Sequence, residues 1–180
     1  MPEYARRARL LRRSQRLRAL IAQLGALGVA RPLFLKVAPF ADVASLCGLL
    51  EAVDDAPFVS GYSVNLPPGK PAGLATAPAV LSGMPGAVSG APAAAAADAT
   101  ISELYRRTDR NRHAIIGSGG VYTADDAYRK LRLGASMVQL LTALVYEGPF
   151  VAKRINDGLD LLLARDGVAQ VREAIGADAL

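Results

Sequence analysis

Short apolar runs alternate with stretches of helical period along this chain, and the alternation sets the expected order of elements. Leu33-Phe34-Leu35-Lys36-Val37-Ala38 is an apolar run broken only by a lysine and ended by Pro39, which predicts a buried strand. From Asp42 to Asp54 the apolar positions Val43, Leu46, Leu50 and Val53 recur on one helical face. Phe58 to Val64 reads as a second strand with Gly61 inside it. The stretch from Leu66 to Pro92 is rich in Pro, Gly and Ala and shows no period; a connection that long inside a compact domain is usually functional or mobile. Ala93 to Arg107 is helical by propensity, with Ile101 and Leu104 facing inward. His113 to Ser118 is a third strand that runs into Gly119-Gly120. Thr123-Ala124-Asp125-Asp126 then opens a helix with a capping-box pattern, which stops near Gly134 at a left-handed cap. Met137 to Leu141 is a fourth strand, carrying the chain to Thr142. Gly148-Pro149 starts a helix from Phe150 to Ala164, and a short last helix covers Val168 to Ile175.

Strand and helix thus alternate four times, which calls for a parallel sheet with crossover helices. A doubly wound sheet and a βα-barrel both satisfy that pattern. The residues at the strand ends decide between them.

Composition narrows the setting. With 52% hydrophobic and 21% charged residues, the 180-residue chain suits one globular domain with a real core. A single cysteine, Cys47, excludes an intramolecular disulfide and fits a reducing compartment; it reads as core. No apolar run reaches the ~20 residues that cross a bilayer, and the arginine-rich start has no apolar signal core. The expectation is a cytoplasmic protein, with a peripheral association at the inner membrane left open. The net charge of +5 is concentrated at the front: Arg6, Arg7, Arg9, Arg12, Arg13, Arg16 and Arg18 face only Glu3 in the first twenty residues. Leu10, Leu17, Leu20, Ile21 and Leu24 recur among them, so residues 1–31 read as a basic amphipathic helix. It either meets an anionic partner or is an outer helix whose arginine stems cover apolar surface, and the second reading is favoured.

Several residues could carry chemistry. Lys36 shares strand parity with Phe34 and Ala38, so it looks to the face opposite Leu33, Leu35 and Val37. A lysine there either meets a bound anion or electron-rich ring, or snorkels out at the strand end. Asn65 closes the second strand; its amide suits a planar imide ligand, and equally suits a turn before Leu66-Pro67-Pro68-Gly69. Ser89-Gly90 ends the long connection, where glycine permits close backbone approach. Ile115-Ile116-Gly117-Ser118-Gly119-Gly120-Val121 is a strand ending in glycines just before a capped helix, a place where free amides bind phosphate. Its spacing is not that of a dinucleotide-binding glycine motif. In (βα)₈ barrels the loops after the last two strands commonly form a phosphate site, and Gly119-Gly120 and Gly134 to Thr142 have the order and spacing for one. His113 reads as a surface histidine. No metal-site spacing, no Ser-His-Asp set and no stacking array for nucleic acid is found.

Taken in order, Leu35-Lys36-Val37-Ala38-Pro39, Val64-Asn65, Val88-Ser89-Gly90, Ile115 to Val121, Gly134-Ala135-Ser136-Met137-Val138-Gln139-Leu140-Leu141-Thr142 and the closing Ala174-Ile175-Gly176-Ala177-Asp178 resemble the C-terminal half of dihydroorotate dehydrogenase, most closely its membrane-associated, quinone-using class. The resemblance implies an α/β fold of (βα)₈ barrel type, of which residues 32–180 form about the last four βα units. It implies FMN as cofactor, dihydroorotate and orotate as substrate and product in pyrimidine synthesis, and a quinone as acceptor if the other half is supplied. Lys36 would contact the flavin ring and stabilise its reduced, anionic form. Val64 would touch FMN through its backbone, Asn65 would hydrogen-bond the pyrimidine, and Gly90, Gly119, Gly120, Leu141 and Thr142 would line the ribityl-phosphate site.

This chain departs from the family pattern in three places. Leu66-Pro67 replaces a hydroxyl-bearing substrate stretch after Asn65. Leu141 stands where a tyrosine is usual. The matching region begins at what would be strand five of a barrel that needs about 250 residues or more. The catalytic serine loop is therefore expected to be absent, and the catalytic base is unassigned. Three readings follow: a flavin-dependent dihydroorotate dehydrogenase polypeptide; a non-catalytic half-barrel binding FMN or another phosphate ligand; or an FMN barrel acting on RNA such as a dihydrouridine synthase. The closing Ala174-to-Asp178 match disfavours the last, so no nucleic acid is expected. Open strand edges predict a homo-oligomer or a complementing N-terminal half as partner.

Overall fold

The computed structural model describes residues 3–28, 30–40 and 42–179, with side chains from residue 14 onward. The chain opens with α1, Glu3–Ala26. Leu10, Arg6, Arg7, Arg9, Arg12 and Arg13, expected on the two faces of this helix, lie outside the described side chains. In the rest of α1, Ile21 is buried and Leu17 and Leu24 pack on the main core, while Leu20 is exposed. The four strands are β1 (Leu33–Val37), β2 (Val59–Val64), β3 (Ala114–Ser118) and β4 (Met137–Gln139), all parallel and paired in chain order. Between them run α2 (Val43–Val53), α3 (Pro78–Gly83), α4 (Ala94–Arg107, entered through a 3₁₀ turn at Ala91–Ala93) and α5 (Ala124–Arg132). Then come α6 (Thr142–Glu147), α7 (Val151–Arg165) and α8 (Val171–Ala174). Four consecutive βα units are thus present, as the alternating pattern requires.

Helices cover one face of this sheet. Val37, Tyr62, Val64 and Ile115 point to it and join Ile21, Leu46, Val53, Ala97, Ile101 and Leu104 in one core. Their burial supplies most of the driving force for the fold. The register places Lys36 beside Ser63, Ser63 beside Ile116 and Ile116 beside Met137, so these side chains share the other face. That face is only partly buried, and Met137 is 53% exposed. Among the described residues, β1 and β4 each keep one edge without a partner strand. A second, smaller core of Val121, Ala127, Ala143, Val151 and Ile155 joins α5, α6 and α7 near the end of β3.

The capping box of α5 forms as expected: the Asp126 amide donates to Thr123 Oγ1 at 3.2 Å, and the Thr123 amide donates to Asp126 Oδ2 at 3.1 Å. Gly134 follows the helix with φ 113. Helix α2 is capped by Asp42, which accepts from the Ser45 amide at 2.8 Å.

Five expectations are corrected. Val43 is 44% exposed rather than inward-facing, because it is the first residue of α2 and overhangs the core. The fourth strand stops at Gln139; β3 has already turned away at Gly119, so Leu140 and Leu141 have no ladder to extend. Thr142 therefore opens α6, a helix of its own ahead of Gly148-Pro149. The last helix shrinks to Val171–Ala174. The long connection carries α3, and Lys70 Nζ holds its shape by donating to the carbonyls of Met84, Pro85 and Gly86 at 3.1, 3.4 and 2.8 Å.

His113 is the fifth. It is not a surface residue: its ring tilts against buried Tyr62 with centroids 5.4 Å apart, and neither nitrogen has a hydrogen-bond partner among the described residues. Burial first, then the nearby Arg112 guanidinium, hold its pKa below the ordinary imidazole value of 6.5. Burial likewise pushes the Tyr62 phenol up to about 12. The folded state resists protonating His113 while the unfolded chain accepts the proton at its usual pKa. Stability is therefore complete above that value and falls as pH drops through it toward the depressed folded pKa. As this is the only histidine, urea denaturation between about pH 7.5 and 5.5 is expected to show the decline. His113→Phe should flatten it, and an equal slope in the variant would refute the assignment.

Candidate functional site

In parallel βα units, ligands sit at the carboxyl ends of the strands, because the connecting loops gather there. A cavity of about 360 Å³ occupies this position. Lys36 reaches it from β1, Asn65 and Leu66 from the end of β2, and Ser89 and Gly90 from the close of the long connection. Ser118 to Tyr122 enter after β3, and Gln139 to Thr142 after β4.

Of the residues singled out in the sequence, Lys36, Asn65, Gly90, Gly119, Gly120, Leu141 and Thr142 all line this one cavity. Val64 does not. Its side chain is fully buried on the helix side, and its carbonyl accepts the Ser118 hydroxyl. Asn65 is held at the rim by its own amide, which donates to the Val37 carbonyl at 2.7 Å. Leu141 lines the cavity while remaining 71% exposed. Ser118, Gln139 and Tyr122 were not singled out. For the first two a signal existed: Ser118 pairs with Gln139, and Ser118 lies two residues beyond Ile116, which shares the Lys36 face.

The glycine loop after β3 is shaped to approach a ligand closely. Gly120 has φ +69, and a Cβ built on it would stand 2.5 Å from Ala94 Cβ. Only glycine fits both demands. The amides of Gly119, Gly120 and Val121 have no acceptor among the described residues, whereas those of Tyr122 and Thr123 both donate to Asp126 Oδ2 at 3.1 Å. Burial raises the Asp126 carboxyl, but the hydrogen bonds from Tyr122, Thr123 and Arg129 outweigh it and hold its pKa below the ordinary 3.8. The helix start is thus satisfied by its own carboxylate, and the free donors are the three amides just before it. Opposite, Gly90 has φ +81, and Thr142 Oγ1 donates to Ser89 Oγ at 3.1 Å, joining the long connection to α6.

These features form a cradle of main-chain donors and hydroxyls with one cation, Lys36, in the same wall. Such a cradle suits a negatively charged tail, because it offers donors and positive charge in a concave site. The residues present fit a phosphate-bearing cofactor. Among the described residues no cluster of three or more His, Cys, Asp or Glu side chains stands together. No helix among the described residues is long and apolar enough to cross a membrane.

Residues 2–163 match the family model of dihydroorotate dehydrogenase. A dihydroorotate dehydrogenase (quinone) from Anaeromyxobacter sp. (strain Fw109-5) is 40% identical over 162 residues, which is 90% of this chain and 44% of that protein. Another, from Halobacterium salinarum, is 63% identical over 70 residues, or 39% of this chain and 20% of that one. Among solved structures, the ligand-free dihydroorotate dehydrogenase of Eimeria tenella superimposes with a TM-score of 0.74 at 33% identity, covering 82% of this chain and 40% of that one. The chain spans less than half the length of the relatives it matches.

Proposed function

Since this chain belongs to the dihydroorotate dehydrogenase family, we propose that its cavity holds FMN and serves the oxidation of dihydroorotate to orotate in pyrimidine synthesis, with electrons passing to a quinone. The convergence of Lys36, Asn65, Gly90, Gly119, Gly120, Leu141 and Thr142 on one cavity carries this reading. When bound, FMN supplies a two-electron acceptor, chemistry that no side chain here can provide.

Each part of the wall has a task under this reading. The amides of Gly119 and Gly120, with the Gly90 and Thr142 backbones, bind the anionic tail and fix the cofactor's position. Thr142 and Ser89, bonded to each other, keep that corner closed. Lys36 places a positive charge where negative charge would build up on the bound ring; it is exposed on the open sheet face, and completion of the barrel would shield it and strengthen that interaction. Asn65 presents an amide that can donate to and accept from a planar pyrimidine at once. The partly buried sheet face and the two unpaired strand edges support completion of the barrel, by a second copy or by a complementing N-terminal half. Residues 32–180 act as the flavin-holding half, with residues 1–31 as the basic helix leading into it. The site's exposure to the cell interior, with contact at the inner membrane, belongs to the same reading.

Purified chain incubated with excess FMN and then gel-filtered is expected to retain flavin. Dihydroorotate-dependent dye reduction by the same sample would extend the reading to catalysis. Flavin retention without dye reduction would make the chain a non-catalytic flavin-binding half-barrel. Loss of both would end the proposal for the isolated polypeptide.

A further inference from the structure

Tyr122 brings a phenol into the cavity wall, and the interactions described so far give it no acceptor. Resting on the flavin reading above, we propose that the Tyr122 hydroxyl is a ligand of the cofactor's phosphate tail and sets the preference for a phosphorylated over an unphosphorylated flavin.

The side chain is held from three sides. Its amide donates to Asp126 Oδ2 at 3.1 Å, which fixes the backbone at the mouth of α5. Its ring is half-buried against the second core. Its oxygen lies against Gly90, where a built Cβ would stand 2.6 Å from it and 3.1 Å from Thr142 Cγ2. A packed ring with a polar tip in a cavity is an aromatic placed for its hydroxyl as well as for its bulk. The neighbouring Thr142 hydroxyl donates to Ser89 Oγ, and the Ser89 proton is left to donate into the same corner. The Tyr122 hydroxyl has no partner among the described residues, and neither do the amides of Gly119, Gly120 and Val121 in the same loop. Water reaches these donors, but gathered in one concave site without a protein acceptor they suit an acceptor-rich guest, and a phosphate offers three charged oxygens. Because a Cβ on Gly90 would stand 2.6 Å from the phenol oxygen, any larger residue there would displace the phenol. That explains a glycine at this position better than loop flexibility alone.

The test compares wild type and Tyr122→Phe, which keeps the ring and its packing, by titrating each with FMN and with riboflavin and following flavin fluorescence. A hydrogen bond to a charged group predicts about tenfold weaker FMN binding in Tyr122→Phe, with riboflavin affinity unchanged and an unaltered melting temperature. Equal weakening for both flavins would overturn the assignment, since the loss would then come from ring packing. Unchanged FMN affinity would overturn it too. A wild-type chain that binds neither flavin removes the cofactor reading itself and this assignment with it.

Discussion

Gly120→Ala is expected to lower the unfolding free energy by about 3 kcal/mol and to abolish flavin retention. Two costs add. A residue with a side chain at φ +69 forfeits about 1–2 kcal/mol in the left-handed region. The new methyl would also stand 2.5 Å from Ala94 Cβ and 3.1 Å from Ala94 Cα, so the start of α4 would have to retreat. That retreat pulls on Gly90, whose carbonyl accepts the Ala93 amide at 3.0 Å, and opens the cradle from the other side. Gly73→Ala is the control. It has φ +80 but nothing within 4 Å, so it bears the backbone cost alone, about 1 kcal/mol. Urea denaturation of both variants measures the contact separately from the backbone. Equal losses at the two positions would show that the contact with Ala94 contributes nothing.

Asp98→Ala should cost as much for a different reason. Lys130 is fully buried, and its ammonium donates to Asp98 Oδ1 at 2.5 Å, while Arg129 Nε donates to the same carboxylate at 2.9 Å. Removing the carboxylate strands a charge inside the protein, which costs about 3 kcal/mol and lowers the melting temperature of a domain this size by roughly 6–12 °C. The pair joins α4 to α5 beneath Gly117: a Cβ built there would lie 3.5 Å from Lys130 Cδ and 2.9 Å from Ile101 Cδ1. Asp98→Ala combined with Lys130→Met removes both charges and should recover most of the loss. A double variant no more stable than Asp98→Ala would mean that the stranded charge is not the cause.

The order of the four strands and of α2, α4, α5 and α7 was legible because the long helices show their period, whereas the six-residue α3 and α6 are too short to show one. Ile101 and Leu104, read as inward on α4, are both fully buried, and the Thr123–Asp126 box caps α5 as its spacing implied. What escaped depended on neighbours distant in sequence. The end of β4 is set by where β3 leaves the sheet, which no local pattern at Leu140-Leu141 records. His113 looked like a surface residue because its burial comes from Tyr62, on a different strand. In the cavity, Lys36, Asn65 and the glycine loops could be assigned from their order along the chain. Tyr122 could not, because its value lies in facing Gly90, thirty-two positions earlier, across the cavity. Ser118 and Gln139 lay within reach of strand alternation once Lys36 had been placed on the inner face.

The last residues of the chain are fastened far from the cavity. The Gly176 amide donates to the Leu131 carbonyl at 3.0 Å and that of Asp178 to the Arg132 carbonyl at 2.8 Å, while Arg132 grips the Asp178 carboxylate with Nε and Nη2 at 2.7 and 2.5 Å. All of these lie at the closing turn of α5, whose opening turn adjoins the glycine loop. An affinity handle or a surface linker attached behind this clasp would therefore emerge from the underside. The protein could be anchored to a chip by its tail with its mouth turned toward the flowing solution.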